Sequence, residues 1–455
     1  MSLSHELATR ALALDPGGFD PTALGFARDA IADMIGCALL GAPTATTEAA
    51  LLRGVQGDGP CHVLGRTERL GRLDAAFVNG VSGHALDYDD TSKSLSGHPT
   101  VIIIPAILPL AESLEISGRA FLDAYVIGVE AATRFARGVN FAHYEKGWHP
   151  TATLGIFGAV VSAGILLKLD AKRMADAISM AASLASGIKA NFGTDTKPLH
   201  AGLAARNGLF AALMAAEGVN AAATALEHPQ GFLEVFNGKG NYDADRMLTG
   251  WGEPLDLMNP GISIKKYPCV YSVHAAIDAV IALHDGPVPD STAVEDVVVR
   301  MHPRRLLPHV RNPATSALNA KFSLSYAVAR GLVNGTVRLD HFEDAALGDP
   351  EVTRIMELIR IEEMPEDFSD YGADVVVRMK DGQVFESHIE VPLGRGPESP
   401  LPMEMLEKKF LDCASRSLTA GGAAEVFRML MKLDRLASLS DLVAAIETST
   451  RPVKG

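Results

Sequence analysis

Two polar turns carry base-capable side chains straight into long apolar helical patterns. One is Gly147-Trp148-His149-Pro150-Thr151-Ala152-Thr153-Leu154-Gly155, and the other is Gly193-Thr194-Asp195-Thr196-Lys197-Pro198-Leu199-His200-Ala201-Gly202. The proline after His149 biases that residue to an extended conformation at the mouth of the next helix. Lys197 also precedes a proline, and His200 opens a helix whose free backbone N–H groups favour an anion. A lone histidine in a turn is more often structural than catalytic, so the weight rests on what accompanies it.

Three further stretches supply company. His84-Ala85-Leu86-Asp87-Tyr88-Asp89-Asp90-Thr91 is followed by His98-Pro99-Thr100 on a Ser- and Gly-rich loop. Its acids and histidines could bind a divalent metal through His84, Asp87, Asp90 and His98, as in a metal-dependent hydrolase. Equally, the acids could orient general-base histidines, or form a solvated helix end. Tyr144 lies just upstream of His149, and Ile264-Lys265-Lys266-Tyr267-Pro268-Cys269 offers two lysines able to clamp a carboxylate. Tyr326 begins a later helix, where a core role is simplest. Histidines, lysines, a tyrosine and hydroxyls, without a dinucleotide fingerprint, P-loop or thiolate cluster, suit acid–base work on an anionic carbon acid with no cofactor.

Helices must position these groups. From Ser4 to about Glu227 the apolar spacing predicts helices over Pro21 to about Gly41, Thr46–Val55, Arg72–Asp87, Ile102–Leu114, Gly118–Val139, Ala152–Leu167, Ala171–Ala190 and Ala201–Glu217. After Lys266 the grammar changes. Val294–Met301 reads as a strand, and Asp374–Val391 as a hairpin around the two-residue turn Asp381-Gly382. Helices are expected at Ala317–Val333 and Val352–Ile359 between them, and helix returns from Met403 to Thr448. The fold expected is mainly α: a large all-helical bundle domain built from both ends of the chain, residues 1–266 and 401–455, with a smaller inserted α+β domain, residues 267–400.

Composition narrows the partners. The 455 residues carry a net charge of −14, which argues against nucleic acid. An anionic substrate would then need a focused cationic pocket. The four cysteines, Cys37, Cys61, Cys269 and Cys413, lack metal or disulfide spacing and fit a reducing, cytoplasmic setting. The N-terminus does not read as a signal peptide, and the most apolar run, Val101–Ala111, is broken by Pro105 and Pro109 and too short to span a membrane.

In their order and wording, the His84–Thr91, His98–Thr100, Gly147–Thr151, Gly193–Gly202 and Lys265–Cys269 segments closely resemble the MmgE/PrpD family. Its members include 2-methylcitrate dehydratases, cis-aconitate decarboxylases and iminodisuccinate epimerase. The resemblance implies a discontinuous helical domain, an α+β lid, a homodimer and an active site between the two domains. By motif position it carries functional roles to Asp87, Thr91, His98, His149, Lys197, His200, Lys265 and Tyr326. Lys266 and Tyr144 join them as expected substrate contacts. Where decarboxylase members resemble a Phe-Pro-x-His pattern, this chain has Tyr267-Pro268-Cys269-Val270, which disfavours decarboxylation of cis-aconitate. The expected activity is proton abstraction α to a carboxylate of a small anionic di- or tricarboxylic acid. Dehydration stands ahead of epimerisation, with His149 or His98 as base and Tyr326 or a lysine as acid, and with no metal.

Overall fold

The computed structural model describes residues 1–452 apart from 56, 287, 289, 307, 312 and 366. The predicted span 401–455 therefore ends in three residues outside the described ones. The chain divides into two compact units, Met1–Ile264 with Pro402–Gly455, and Lys265–Leu401.

The first unit is a helical bundle. Asp20 caps the helix Pro21–Gly41 by accepting from Thr22 N at 2.7 Å, with Pro21 at the first position, where its missing N–H costs no hydrogen bond. Arg72–His84, Thr100–Ser113 and Gly118–Arg137 pack against it, and Gly155–Leu166 and Thr196–Ala216 pack on those helices in turn. Met403–Ala414, Ala420–Leu430 and Leu439–Ser449 return from the C-terminal end. Thr100–Ser113 and Gly155–Leu166 are buried along almost their whole length, which explains why they are apolar on every side.

Several expected boundaries move, each for a local reason. The Arg72 helix stops at His84, and Asp87 turns left-handed at φ +53°, so the acids leave the helix axis. Asp tolerates that conformation better than most residues. Ala171–Leu184 is shorter than predicted, because the chain runs extended to form a β-bridge between Ile188 and Trp148. The helix predicted from Ala201 starts at Thr196 instead. Pro198 falls in its first turn, where backbone N–H groups have no intrahelical partner. The stretch predicted as one helix from Ala152 is two, Pro150–Thr153 and Gly155–Leu166. The first unit is also not all-helical. It contains the pairs β1 (Asp58–His62) with β2 (Arg69–Leu70), and β3 (Thr91–Ser92) with β4 (Ile262–Ser263). Strands of two residues are too short to leave an alternation in the sequence.

The second unit has one sheet of order β6-β5-β7-β8, from β5 (Val294–Met301), β6 (Ile359–Glu363), β7 (Ala373–Met379) and β8 (Val384–Ile389). β6 runs parallel to β5 and was not predicted; it follows Pro350–Leu358 directly. The β7–β8 hairpin forms, but with a three-residue loop. Gly382, at φ +88°, donates to Met379 O, and Met379 N pairs with Gln383 O. The helix predicted at Ala317–Val333 is split into Ala317–Ala320 and Leu324–Asn334. Among the described residues no helix is long and apolar enough to cross a membrane.

Glycines set a close helix crossing in the first unit. A Cβ on Gly202 would lie 2.4 Å from the Phe77 carbonyl oxygen, and one on Gly80 would lie 2.8 Å from Gly202 Cα. This contact brings the helix ending at His84 against the helix carrying Lys197. Gly202→Val is expected to push them apart and to lower stability by about 1–3 kcal/mol, measured by denaturant unfolding. Unchanged stability would show that the crossing has slack.

Candidate active site

Every polar group singled out near the end of the Arg72 helix turns inward. His84, Asp87, Asp89, Asp90, His98, His149 and Lys197 are all buried. Burial of so many ionisable groups is tolerable only if they satisfy one another, and Asp89 is the centre of that exchange. Its carboxylate lies 2.9 Å from His84 Nδ1 through either oxygen, and Oδ2 is 3.0 Å from His98 Nδ1. At His98 Nδ1 the geometry falls short of hydrogen-bond alignment. An ionised carboxylate only accepts, so His84 presents Nδ1–H to it, leaving Nε2 as the ring's basic nitrogen. Burial tends to raise Asp89, yet the two imidazoles hold its carboxyl well below the usual range.

The neighbouring acids are dealt with differently. The Asp87 carboxylate takes a direct hydrogen bond from the Lys197 ammonium, and its Oδ1 is 3.8 Å from His98 Nε2. Asp90 faces the other way and accepts from the Thr100 hydroxyl, which also meets Tyr125 OH at 2.6 Å. Burial, with help from the charges of Asp33 and Asp89, pushes Asp90 well above the carboxylate range, so it is neutral. The metal set read from sequence is therefore corrected: Asp89 replaces Asp90. His84, Asp87, Asp89 and His98 do offer ligand atoms within 4.8 Å of one another. In this arrangement the Lys197 ammonium engages Asp87, and the His84 Nδ1–H engages Asp89.

His149 closes the group from the other turn. Its N–H donates to Gly187 O at 3.0 Å, and its ring stacks 5.9 Å from His84 and lies edge-on to Phe192. His149 Nδ1 is 3.2 Å from His200 Nδ1, so one nitrogen donates and the other accepts, and the two rings are not both cationic. Burial depresses both, and the Lys197 charge adds to it; His149 is driven well below its ordinary value. Burial likewise takes His84 down to about 4.

A buried histidine outside the group, His143, supports the His149 turn. Asn237 uses its amide nitrogen on Leu233 O, so its oxygen accepts from His143 Nδ1–H at 2.8 Å. The ring, held near a pKa of about 4 by burial, is neutral, and its Nε2 meets the Thr153 hydroxyl at 2.7 Å, the same hydroxyl that reaches His149 O at 3.0 Å. Gly97 is pressed against Thr151, whose hydroxyl accepts from His98 N at 3.1 Å, locking the two loops together.

Of the residues named from sequence, the structure thus gathers Asp87, His98, His149, Lys197 and His200. Thr91, half-buried on β3, pairs with Ser263. Tyr144 lies beneath the Lys189 ammonium, 3.4 Å from its ring centroid. Lys265, Lys266 and Tyr326 belong to the second unit. There the Lys266 ammonium donates to Asp278 at 2.8 Å, while the Tyr326 hydroxyl donates to His341 O and accepts from Arg330 Nε at 3.0 Å. Burial raises Tyr326, and with its proton engaged it fits the core role read from its helix position. The sequence reading includes Asp89 among the acids that could orient the histidines but does not single it out. Its motif displays three acids, and nothing in the spacing says which one faces the rings.

Asp89→Asn would retain shape but remove the anion and leave one oxygen to accept where two imidazoles meet the carboxylate. Turnover is expected to fall about 10²–10⁴-fold with folding retained, measured by kinetics beside circular dichroism. Near-parental turnover would remove Asp89 from the site.

Both parts of the chain match models of one known family. The MmgE/PrpD N-terminal domain matches residues 5–245 and the MmgE/PrpD C-terminal domain residues 267–434. The chain is 27% identical to human cis-aconitate decarboxylase (Homo sapiens) over 399 residues, 84% of this chain and 81% of that one. It is 28% identical to cis-aconitate decarboxylase of Aspergillus terreus over 454 residues, 93% and 91% of the two chains. A cis-aconitate decarboxylase-like protein of Aspergillus oryzae is 26% identical over 476 residues, covering 98% and 97%. With both domains matched in order across most of its length, the chain belongs to the MmgE/PrpD family.

Proposed function

We propose that the protein is a lyase that removes a proton α to a carboxylate of a di- or tricarboxylic acid without a cofactor, with dehydration of a 2-methylcitrate-like hydroxy acid as its leading reaction. The observation that carries this reading is the Asp89 carboxylate held between two imidazoles beside the Lys197–Asp87 ion pair. A carboxylate on Nδ1 stabilises the imidazolium formed when the other nitrogen takes a proton, which is what a general base needs.

His98 or His149 takes the α-proton, and the C–H electron pair moves into the substrate carboxylate as an enolate-like charge. Lys197 stands where it could stabilise that charge. In dehydration the pair then forms the C=C bond as the β-hydroxyl leaves, protonated to water by an imidazolium or ammonium. Lys265 and Tyr326, assigned by resemblance to the same chemistry, and Lys266, Thr91 and Tyr144 as substrate contacts, remain part of the proposal. So do a homodimer and a cytoplasmic setting. Tyr326 would first have to release His341 to act as acid.

A second reading, decarboxylation of cis-aconitate, is favoured by the names of the relatives and opposed by Tyr267-Pro268-Cys269-Val270 in place of a histidine-bearing motif. Epimerisation of an iminodisuccinate-like acid, using two imidazoles as opposing bases, is the third. Incubation with 2-methylcitrate, citrate, cis-aconitate and iminodisuccinate in deuterated water separates them. The expected result is loss of water with α-deuterium exchange. Release of carbon dioxide would select the second reading and inverted product the third. No exchange with any acid would overturn the shared first step. Activity abolished by a chelator and restored by a stoichiometric metal would instead select a hydrolase-type centre.

The titration directions make a second test. The described charges here are one ammonium, Lys197, against two carboxylates, Asp87 and Asp89, with His149 and His200 depressed and neutral. A bound polyanion favours the protonated imidazoles, so the complex holds more protons than the free enzyme, and binding strengthens as pH falls. KM is expected to rise as pH increases from about 5 toward about 7, because burial moves these rings to the low side of the ordinary histidine range. A KM flat across that window would show that binding takes up no proton.

A further inference from the structure

The C-terminal helix Met403–Ala414 packs along Pro21–Gly41 through a seam that is partly polar. Lys409 meets Asp33, with Nζ 2.5 Å from Oδ1. Phe410 lies over Gly36, where an added Cβ would stand 3.1 Å from its ring. Cys413 sits beside Cys37, whose buried thiol is pushed well up. Asp33 and Cys37 on one helix, and Lys409 and Cys413 on the other, are each four residues apart and so share a face.

A buried ion pair is a poor way to hold two helices together, because well-packed apolar side chains of similar volume often do as well or better. Here the ammonium has a further contact. Lys409 Nζ donates to the Tyr88 carbonyl at 2.9 Å and stands 3.9 Å from the centroid of the Tyr88 ring. Tyr88 is the residue between Asp87 and Asp89, and its carbonyl belongs to the peptide that joins it to Asp89. The chain there has just made its left-handed turn at Asp87. Asp87 must point to Lys197 and Asp89 to His84 within three residues, so rotation of that peptide would misdirect both.

We propose that Lys409, oriented by Asp33, is a positioning residue of the active site: its ammonium fixes the Tyr88–Asp89 peptide and thereby the directions of both carboxylates. The C-terminal segment thus joins the group around Asp89, whose other described members lie between residues 84 and 200. The inference rests on the acid–base reading of the Asp89 group given above.

The test pairs a readout that needs no substrate with one that does. Asp33→Leu combined with Lys409→Met fills the seam without charge and leaves Tyr88 O without its donor. In nitrogen-15-labelled protein the imidazole N–H signals of His84 and His98 are expected to shift or broaden, while the thermal midpoint stays at or above the parent's. Turnover of whichever acid among 2-methylcitrate, citrate, cis-aconitate and iminodisuccinate the parent accepts is expected to drop roughly 10–100-fold, with KM changed much less. Lys409→Arg with Asp33 kept retains a cationic donor and is expected to recover most of that loss. Lys409→Gln provides a second variant for the same two readouts. Unchanged imidazole signals, or a loss of turnover that tracks loss of folded protein, would overturn the proposal. If the parent turns over none of the four acids, the chemistry fails while the imidazole readout still decides the role of Lys409.

Discussion

A fully buried carboxylate is among the most costly groups a fold can enclose, and Asp89 is enclosed completely. What makes it tolerable is the pair of imidazoles at its two oxygens, and much of the local architecture follows from keeping them there. His84 must end its helix, so that Nδ1 can face a residue five positions on. His98 must come back over the same carboxylate, which the Gly97–Thr151 contact and the Thr151 hydroxyl secure. Asp87 must leave the helix in a left-handed turn so that its own carboxylate faces Lys197. The Gly80–Gly202 crossing then sets the distance between the two helices that bring these partners together.

Three acids lie within four residues, and like charges that close cannot all be ionised at low dielectric. The structure resolves this by direction. Asp87 is neutralised by an ammonium, Asp89 is stabilised as an anion by imidazoles, and Asp90 is turned toward hydroxyls and kept protonated. Separating the titration of neighbouring acids in this way is how one short segment supplies both a charged orienter and a neutral structural contact.

Parts of this were legible in the sequence because they rest on local rules. Asp-Gly between β-branched runs announced the β7–β8 hairpin, although Gly382 serves a three-residue loop. The three-four spacing after Pro21 marked its helix from end to end. His98, His149, Lys197 and Asp87 could be named because their residue types suit one chemistry. The rest depends on tertiary geometry. Nothing local tells Asp89 from Asp90, and the exchange of one for the other in the four-residue cluster follows from which side of the chain faces His84. The Pro198 boundary was misplaced because proline permits a first turn as well as it ends a helix. Lys409 reads as one lysine in an amphipathic C-terminal helix, and only its contact with Asp33 and Tyr88, hundreds of residues away in sequence, gives it meaning.

The same physical reasoning explains why family membership stops short of naming a reaction. In the proposed chemistry, dehydration and epimerisation share their opening step, a base beside a group that stabilises enolate-like charge, and the Asp89 cluster is built for that step. Decarboxylation differs in the bond that breaks, and its carbon must then be protonated. The outcome is decided later, by which bond to the reacting carbon stands perpendicular to the carboxylate plane and by which acid lies nearest. Those are matters of how the remaining carboxylates are gripped. In that chemistry a chain can keep every residue around Asp89 and still change its product, whereas loss of Asp89 removes the step that dehydration and epimerisation share.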